Sequence, residues 1–346
     1  MKKLIAIAIA AVIVPSAAIA SGPTLYGKVH MGVNYFDNDS KSVANGGVGE
    51  YKSMNLTSSS SRIGVKGSED LGNGLKVGFL MEWSVGMDGG GDLGQRNRGL
   101  SLSGGFGTVL FGRWDSPMKK LNGKVEFFSD KVGDIDNVTR NKSYIDGRRN
   151  NVIMYSTPKM GGFSSSIAYY LDTQNATGDD TDNRSLVSAN AIYSNGPLLV
   201  GAGFSKMYAA DSSSDKDEVD WRLGATYKIG SAKLGGSFTD INDGLGVANN
   251  DFKVYTLSGS YGFGNNSVRA QYVHKTEGMV DDEAATWAIG FDHNMSKRTS
   301  TYIAYSQAHN GDQATVVPYA KTGNSANNAD ADSTPKGLTV GIIHKF

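Results

Sequence analysis

The chain has 346 residues, with 34 Lys plus Arg against 34 Asp plus Glu and no cysteine. Zero net charge gives no basic face for nucleic acid, and disulfides cannot supply its stability. Mean hydropathy is −0.31, but 45 glycines, 16 Tyr and 13 Phe beside only 7 prolines suit a turn-rich all-β chain.

Residues 1–20, "MKKLIAIAIAAVIVPSAAIA", carry two lysines, an apolar run over 4–14, and small residues ending in Ala18 and Ala20. This is the pattern of a secretory signal peptide cut after Ala20. Beyond it no apolar stretch approaches the roughly 20 residues of a membrane helix. No Pro-rich or charge-run linker divides 21–346, so one large β domain is expected there.

From "TLYGKVHMGVNY" (24–35) to "KGLTVGIIHKF" (336–346), sixteen strand-like runs follow one another. Their alternation is two-sided. In "KVGFLMEW", Val77, Phe79, Met81 and Trp83 share one face, while Lys76, Gly78, Leu80 and Glu82 share the other. Lys28 and His30 oppose Val29 and Met31, and Arg62 and Lys66 oppose Ile63 and Val65. Short turns (104–107, 158–162, 194–197, 294–298) alternate with long polar segments (36–58, 84–95, 114–149, 171–184, 208–217, 240–252, 276–284, 308–335). That rhythm predicts an antiparallel transmembrane β-barrel with tight periplasmic turns and long outer loops. Apolar faces would meet lipid, mixed faces would line a wet lumen, and closure would satisfy the backbone. A secreted sandwich needs about eight strands and a core-facing apolar side. A solenoid would show a fixed repeat, and none is present. Tyr26, Tyr35, Trp83, Tyr155, Phe163, Tyr170, Tyr193, Tyr208, Tyr261 and Tyr302 fall near run ends, as an interfacial girdle would.

Several blocks carry a family likeness. "TLYGKV", "SSRIGVKGSEDLGNGLKVGFLMEW", "LSGGFGTVLFGRWDSP", "NNVIMYSTPKMGGFS" and the terminal "HKF" resemble Gram-negative general porins. The resemblance implies a 16-stranded trimeric barrel whose third loop folds into the lumen and through which small hydrophilic solutes and ions diffuse. It also implies that the terminal aromatic, Phe346, is read by the outer-membrane assembly machinery.

The third long segment, 114–149, is far beyond the usual loop of about 4–6 residues. Val125, Phe127, Phe128, Val132 and Ile135 suit packing against an inner wall, and Glu126, Asp130, Asp134 and Asp136 would then face the lumen. The alternative is a surface loop with solvated acids. Alternation puts Lys28, Arg62 and Lys66 on the lumen side, with Arg148 and Arg149 just after the loop. Arg113 and Arg96 complete the candidate basic wall. Arg96 and Arg98 share the parity of Leu100 and Leu102, so a bulge or a rim position is needed to point them inward. In porins, an acidic loop facing a basic wall creates a transverse field at the constriction. This sequence departs from the family at Met154 and Ile343, where relatives often carry arginine; the basic wall is thinner here.

No nucleophile elbow or phosphate loop is present, and the five histidines lack metal spacing. No enzyme, cofactor or metal is expected. Acidic pieces at 37–40, 179–183, 211–218 and 330–333 read as loop tips, with loose divalent-cation bridging to lipopolysaccharide as the minor reading. Two rival functions are a substrate-specific channel, for instance for oligosaccharides, and a small plugged adhesin-type barrel.

Overall fold

The computed structural model describes residues 20–39, 50–89, 93–139, 143–171, 184–209, 216–278, 280–318, 329 and 331–346. The expected signal segment therefore lies outside the described residues except for Ala20, as do most of the loop pieces at 179–183 and 211–218. No helix among the described residues is long and apolar enough to cross a membrane.

Strands dominate: β1 (Ala20–Asp39), β2 (Glu50–Ser58), β3 (Arg62–Gly72), β4 (Leu75–Ser84), β5 (Gly94–Gly104) and β6 (Gly107–Asp115) precede the third loop. After it come β7 (Arg148–Ser156), β8 (Phe163–Tyr170), β9 (Leu186–Asn195), β10 (Leu198–Met207), β11 (Glu218–Ile229) and β12 (Ala232–Asn242). The last five are β13 (Phe252–Phe263), β14 (Asn266–Lys275), β15 (Ala284–Asn294), β16 (Thr299–Asn310) and β17 (Lys336–Lys345). From β3 onward each pairs antiparallel with the next.

The ring closes between the two ends of the chain. β17 pairs with β1 from Lys28↔Lys345 to Asp37↔Lys336. The other edge of β1 takes β3 along its first half and β2 along its second. β2 and β3 therefore occupy one strand position, interrupted at Ser59–Ser61, where Ser60 has φ 53. The seventeen segments make sixteen barrel strands. Sequence alternation missed β2, because "EYKSMNLTS" is too polar to stand out within the first long loop.

The faces are inverted relative to a soluble protein. On β11, Trp221, Leu223 and Tyr227 are exposed, Leu223 by 58%, while Asp220, Arg222 and Thr226 are buried. A side chain of that kind is stable outside only against hydrocarbon. Leu338, Val340, Ile342 and Phe346 likewise point outward, and Thr339 is buried inside. Phe346 exchanges both backbone hydrogen bonds with Gly27, and its ring lies over that glycine. Three of the aromatics expected in the girdle point inward instead: the Tyr26 hydroxyl donates to Glu82, Tyr302 bonds His30, and Tyr170 is wholly buried. Each sits on the lumen parity of its strand, which proximity to a strand end does not reveal.

Candidate functional site: a loop packed inside the barrel

The third loop lies within the barrel and contains a helix that alternation did not predict. Helix α1 (Pro117–Val125) starts at Ser116, whose hydroxyl accepts from the Lys119 amide, with Pro117 in the first turn. Met118, Leu121 and Val125 are fully buried along one stripe. Each contributes roughly 1.5–3 kcal/mol on burial. They can approach the wall because the wall has glycines there. A Cβ on Gly203 would stand 2.6 Å from Met118, one on Gly201 2.5 Å from Leu121, and one on Gly224 2.9 Å from Val125. Phe127 lies over Gly235 and Phe128 over Gly290 in the same manner. The glycine-rich composition is thus partly a trough for this loop.

Polar contacts fix the loop beyond α1. Gln271 accepts from the Phe127 amide (3.0 Å) and donates to the Gly133 carbonyl (2.8 Å). Arg269 donates to the Phe127 carbonyl at 2.6 Å. Arg222 grips Asp146 with two bonds of 2.7 and 2.8 Å. Lys131 is buried over the Tyr302 ring and pairs with Asp292. Burial first, then the Arg269 charge, pushes the Lys131 pKa down to about 8.

Between this loop and the β3–β6 wall lies a polar cavity of about 790 Å³. Its lining carries four cations, Arg62, Arg96, Lys119 and Arg148, and four acids, Asp115, Glu126, Asp130 and Asp136. Glu82, which sequence reading placed on the lumen face without a role, organises one side of it. Its carboxylate meets Arg96 at 2.5 Å, the Tyr26 hydroxyl at 3.0 Å and Arg62 at 3.4 Å. Arg148 meets Asp115 at 3.1 Å and donates to Asn97 at 2.7 Å. Lys28 meets Asp130 at 2.9 Å, and the Ser60 hydroxyl donates to the same carboxylate at 2.7 Å. Lys66 lies over the Tyr26 ring at 5.2 Å, in a second, smaller hollow.

Three further candidate residues also fall outside this cavity. Asp134 is 1% exposed, and its two oxygens accept the Asp130 and Asp136 amides at 2.8 Å each. It shapes the loop turn rather than facing the lumen. Arg149 stacks on Tyr144 at 5.0 Å in a hollow behind the loop, not in the cavity that Arg148 lines. Arg113 is on the outer wall, because it pairs in register with outward-facing Arg98 and lines a hollow with Phe111 and Ile153. Glu126 lines the cavity but folds back to accept the Ile135 amide at 2.9 Å. Arg96 does turn inward. The register shifts between Met81 and Trp83 on β4, opposite Gln95–Arg98, and that bulge separates Arg96 from Arg98.

The sequence profile described as "Gram-negative porin" matches residues 6–313. The chain belongs to the Gram-negative porin family. It is 34% identical to outer membrane porin protein 32 of Delftia acidovorans, covering 100% of this chain and 99% of that one. An anion-selective porin from Comamonas acidovorans superposes with a TM-score of 0.80 at 30% identity, over 95% of this chain and 100% of the other. OmpT of Vibrio cholerae, solved in a trimer form, shares the fold at 16% identity, with a TM-score of 0.66 over 96% of this chain and 100% of that one. This porin is accordingly an integral β-barrel of the outer membrane, and its family identity points to a channel rather than an enzyme. Met154 and Ile343, the two departures from the family pattern, both sit in apolar surroundings. Met154 is buried beside Leu110 and Tyr170, and Ile343 packs on the cluster around Phe128.

Proposed function

We propose that this porin is a general diffusion channel with weak charge preference, its narrow zone set by the inserted loop. The observation that carries this is the cavity lining of four cations and four acids, most of them paired with an opposite charge either in the lining or just behind it, at Lys28 and Glu82. Direct pairing cancels most of the transverse field that separated rows of charge would produce. The Comamonas neighbour is named anion-selective; the balance here supports a smaller bias. Small ions and hydrophilic solutes would pass while exchanging water for these fixed dipoles. We assign the constriction to Glu126, Asp130 and Asp136 facing Lys28, Arg62, Arg96 and Arg148, with Glu82 added. Solute competition tests the general reading. Ion current should fall in proportion to added oligosaccharide, through viscosity alone; saturable block would instead make this a substrate-specific channel.

Further parts of the reading rest on the family likeness. A homotrimer is favoured by the trimeric neighbour, export by the 1–20 pattern, and contact with lipopolysaccharide by the outer-membrane setting. Phe346 is the assembly signal in this account. Its two backbone bonds to Gly27 are a small part of the β1–β17 seam. Deleting Phe346 should therefore leave in-vitro refolding intact but cut the amount in the outer membrane several-fold, read by fractionation. Normal membrane levels would confine Phe346 to closing the seam.

A further inference from the structure

Leu80 is out of place in a pore lined by charge and hydroxyls. It stands on the lumen parity of β4, between Gly78 and Glu82. With Leu110 and Trp114 it borders a hollow of about 310 Å³ in the β3–β6 wall. The floor is bare backbone at Gly78 and Gly99, and a Cβ on Gly99 would stand 3.5 Å from the Leu110 side chain. The hollow lies toward the short β3–β4 and β5–β6 turns. The charged cavity takes Arg62, Ser84, Arg96 and Asp115 from the opposite ends of the same strands. A solute leaving the constriction inward therefore meets the hollow on the periplasmic side. Helix α1 packs across β10 and β11 and leaves this part of the wall open.

One cation stands at this hollow. Lys66 projects from β3, exposed, with its ammonium over the Tyr26 ring at 5.2 Å. Among the described residues it forms no salt bridge. Glu82, bound to the hydroxyl of that same ring, already holds Arg96 and Arg62. Lys28, Arg96 and Arg148 each have a carboxylate in contact, whereas Lys66 keeps its charge for something else. Apolar walls with one converging charge are the usual make-up of a small-molecule site. The volume is about twice the roughly 150 Å³ that accepts a benzene ring. A flat glycine floor between two leucines and an indole suits a planar ring, and the ammonium at the rim suits one carboxylate.

We propose that Lys66, Leu80, Leu110 and Trp114 form a low-affinity subsite for aromatic monocarboxylates in transit, with the ring on the glycine floor and the carboxylate on the Lys66 ammonium. This deepens the diffusion reading and rests on it: the pore stays general, and one class of solute pauses below its constriction.

The test is titration of the detergent-solubilised full barrel with benzoate, followed by saturation-transfer NMR with protein-free micelles subtracted. Benzoate should saturate in the millimolar range. Acetate, which lacks the ring, and benzyl alcohol, which lacks the charge, should each bind about tenfold or more weakly. K66Q should weaken benzoate about tenfold, and K66R should restore most of the loss. L80N should weaken benzoate and benzyl alcohol alike. Heat-modified gel migration confirms that each variant is folded. Acetate binding as tightly as benzoate overturns the proposal, because the hollow would then be a free-anion site. Benzyl alcohol binding as tightly overturns it too, by removing Lys66 from recognition. So does benzoate binding unchanged in both K66Q and L80N, which would place the solute elsewhere in the lumen. Because the titration needs no open pore, conductance steps judge the diffusion reading and the titration judges the subsite.

Discussion

Replacing Glu82 by glutamine is expected to move the reversal potential of this porin toward the anion side. The Glu82 carboxylate pairs with two lumen guanidiniums, Arg96 at 2.5 Å and Arg62 at 3.4 Å, and offsets one of their two charges. Glutamine keeps the size and can still accept from Tyr26, but it removes one negative charge beside the cavity. A unit charge about 5 Å from a permeating ion is worth roughly 0.8 kcal/mol in a water-like dielectric. That is about a fourfold change for one ion sign before screening, with the opposite change for the other. The anion-to-cation permeability ratio should rise several-fold in dilute salt. The shift should shrink in about 1 M salt, where the Debye length is about 3 Å. An unchanged ratio in dilute salt would remove Glu82 from the permeation path.

The second large effect is expected at Phe128. Its side chain is fully buried between loop and wall, beside Gly290 and near the Arg269 guanidinium at 5.9 Å. Phe128→Ala deletes this anchor and leaves a cavity, a change that costs about 3–5 kcal/mol in well-packed sites. The cost falls on docking of the loop, because Phe128 belongs to no barrel strand and the ladders around it remain. Lys28 and Ser60 still hold Asp130, so the loop should loosen rather than leave. Single-channel records should show a larger mean conductance and more open-state noise. The heat-modified gel transition of the barrel should stay within a few degrees of the wild type. Unaltered conductance and noise would mean that the polar contacts of Asp130 and Gln271 suffice to set the aperture.

Much of this fold was legible in the sequence because a barrel strand declares itself by period two. Val77, Phe79 and Met81 against Lys76, Gly78 and Glu82 need no partner to be read. The same rule separated Lys28, Arg62 and Lys66 from their lipid-facing neighbours. It also framed the question at Arg96, which the β4–β5 bulge answers. Alternation fails where the ladder breaks or the side chain's partner is remote. β2 was hidden because its polar residues pair beside the interruption at Ser59–Ser61. Helix α1 is hidden because its nine residues carry only three buried apolar positions after Pro117, and Ser116–Pro117 is the sole local mark of its start. The position of Arg113 follows from its register with Arg98, which only pairing reveals. Asp134 looked like its three neighbours in sequence, but two backbone amides bend toward it and withdraw it from the lumen. Arg269, Gln271 and Asp292 hold the loop from strands more than 130 residues away in the chain. No local signal marks such contacts, apart from their polar character on a lumen-facing parity.

The central claim is an open pore whose loop and wall charges nearly cancel. Single-channel recording of the wild-type protein in a planar bilayer under a potassium chloride gradient tests it directly. The account predicts discrete ohmic steps and a reversal potential close to zero compared with the Nernst limit of either ion. A barrel without stable steps, or a reversal potential near either limit in moderate salt, would contradict it.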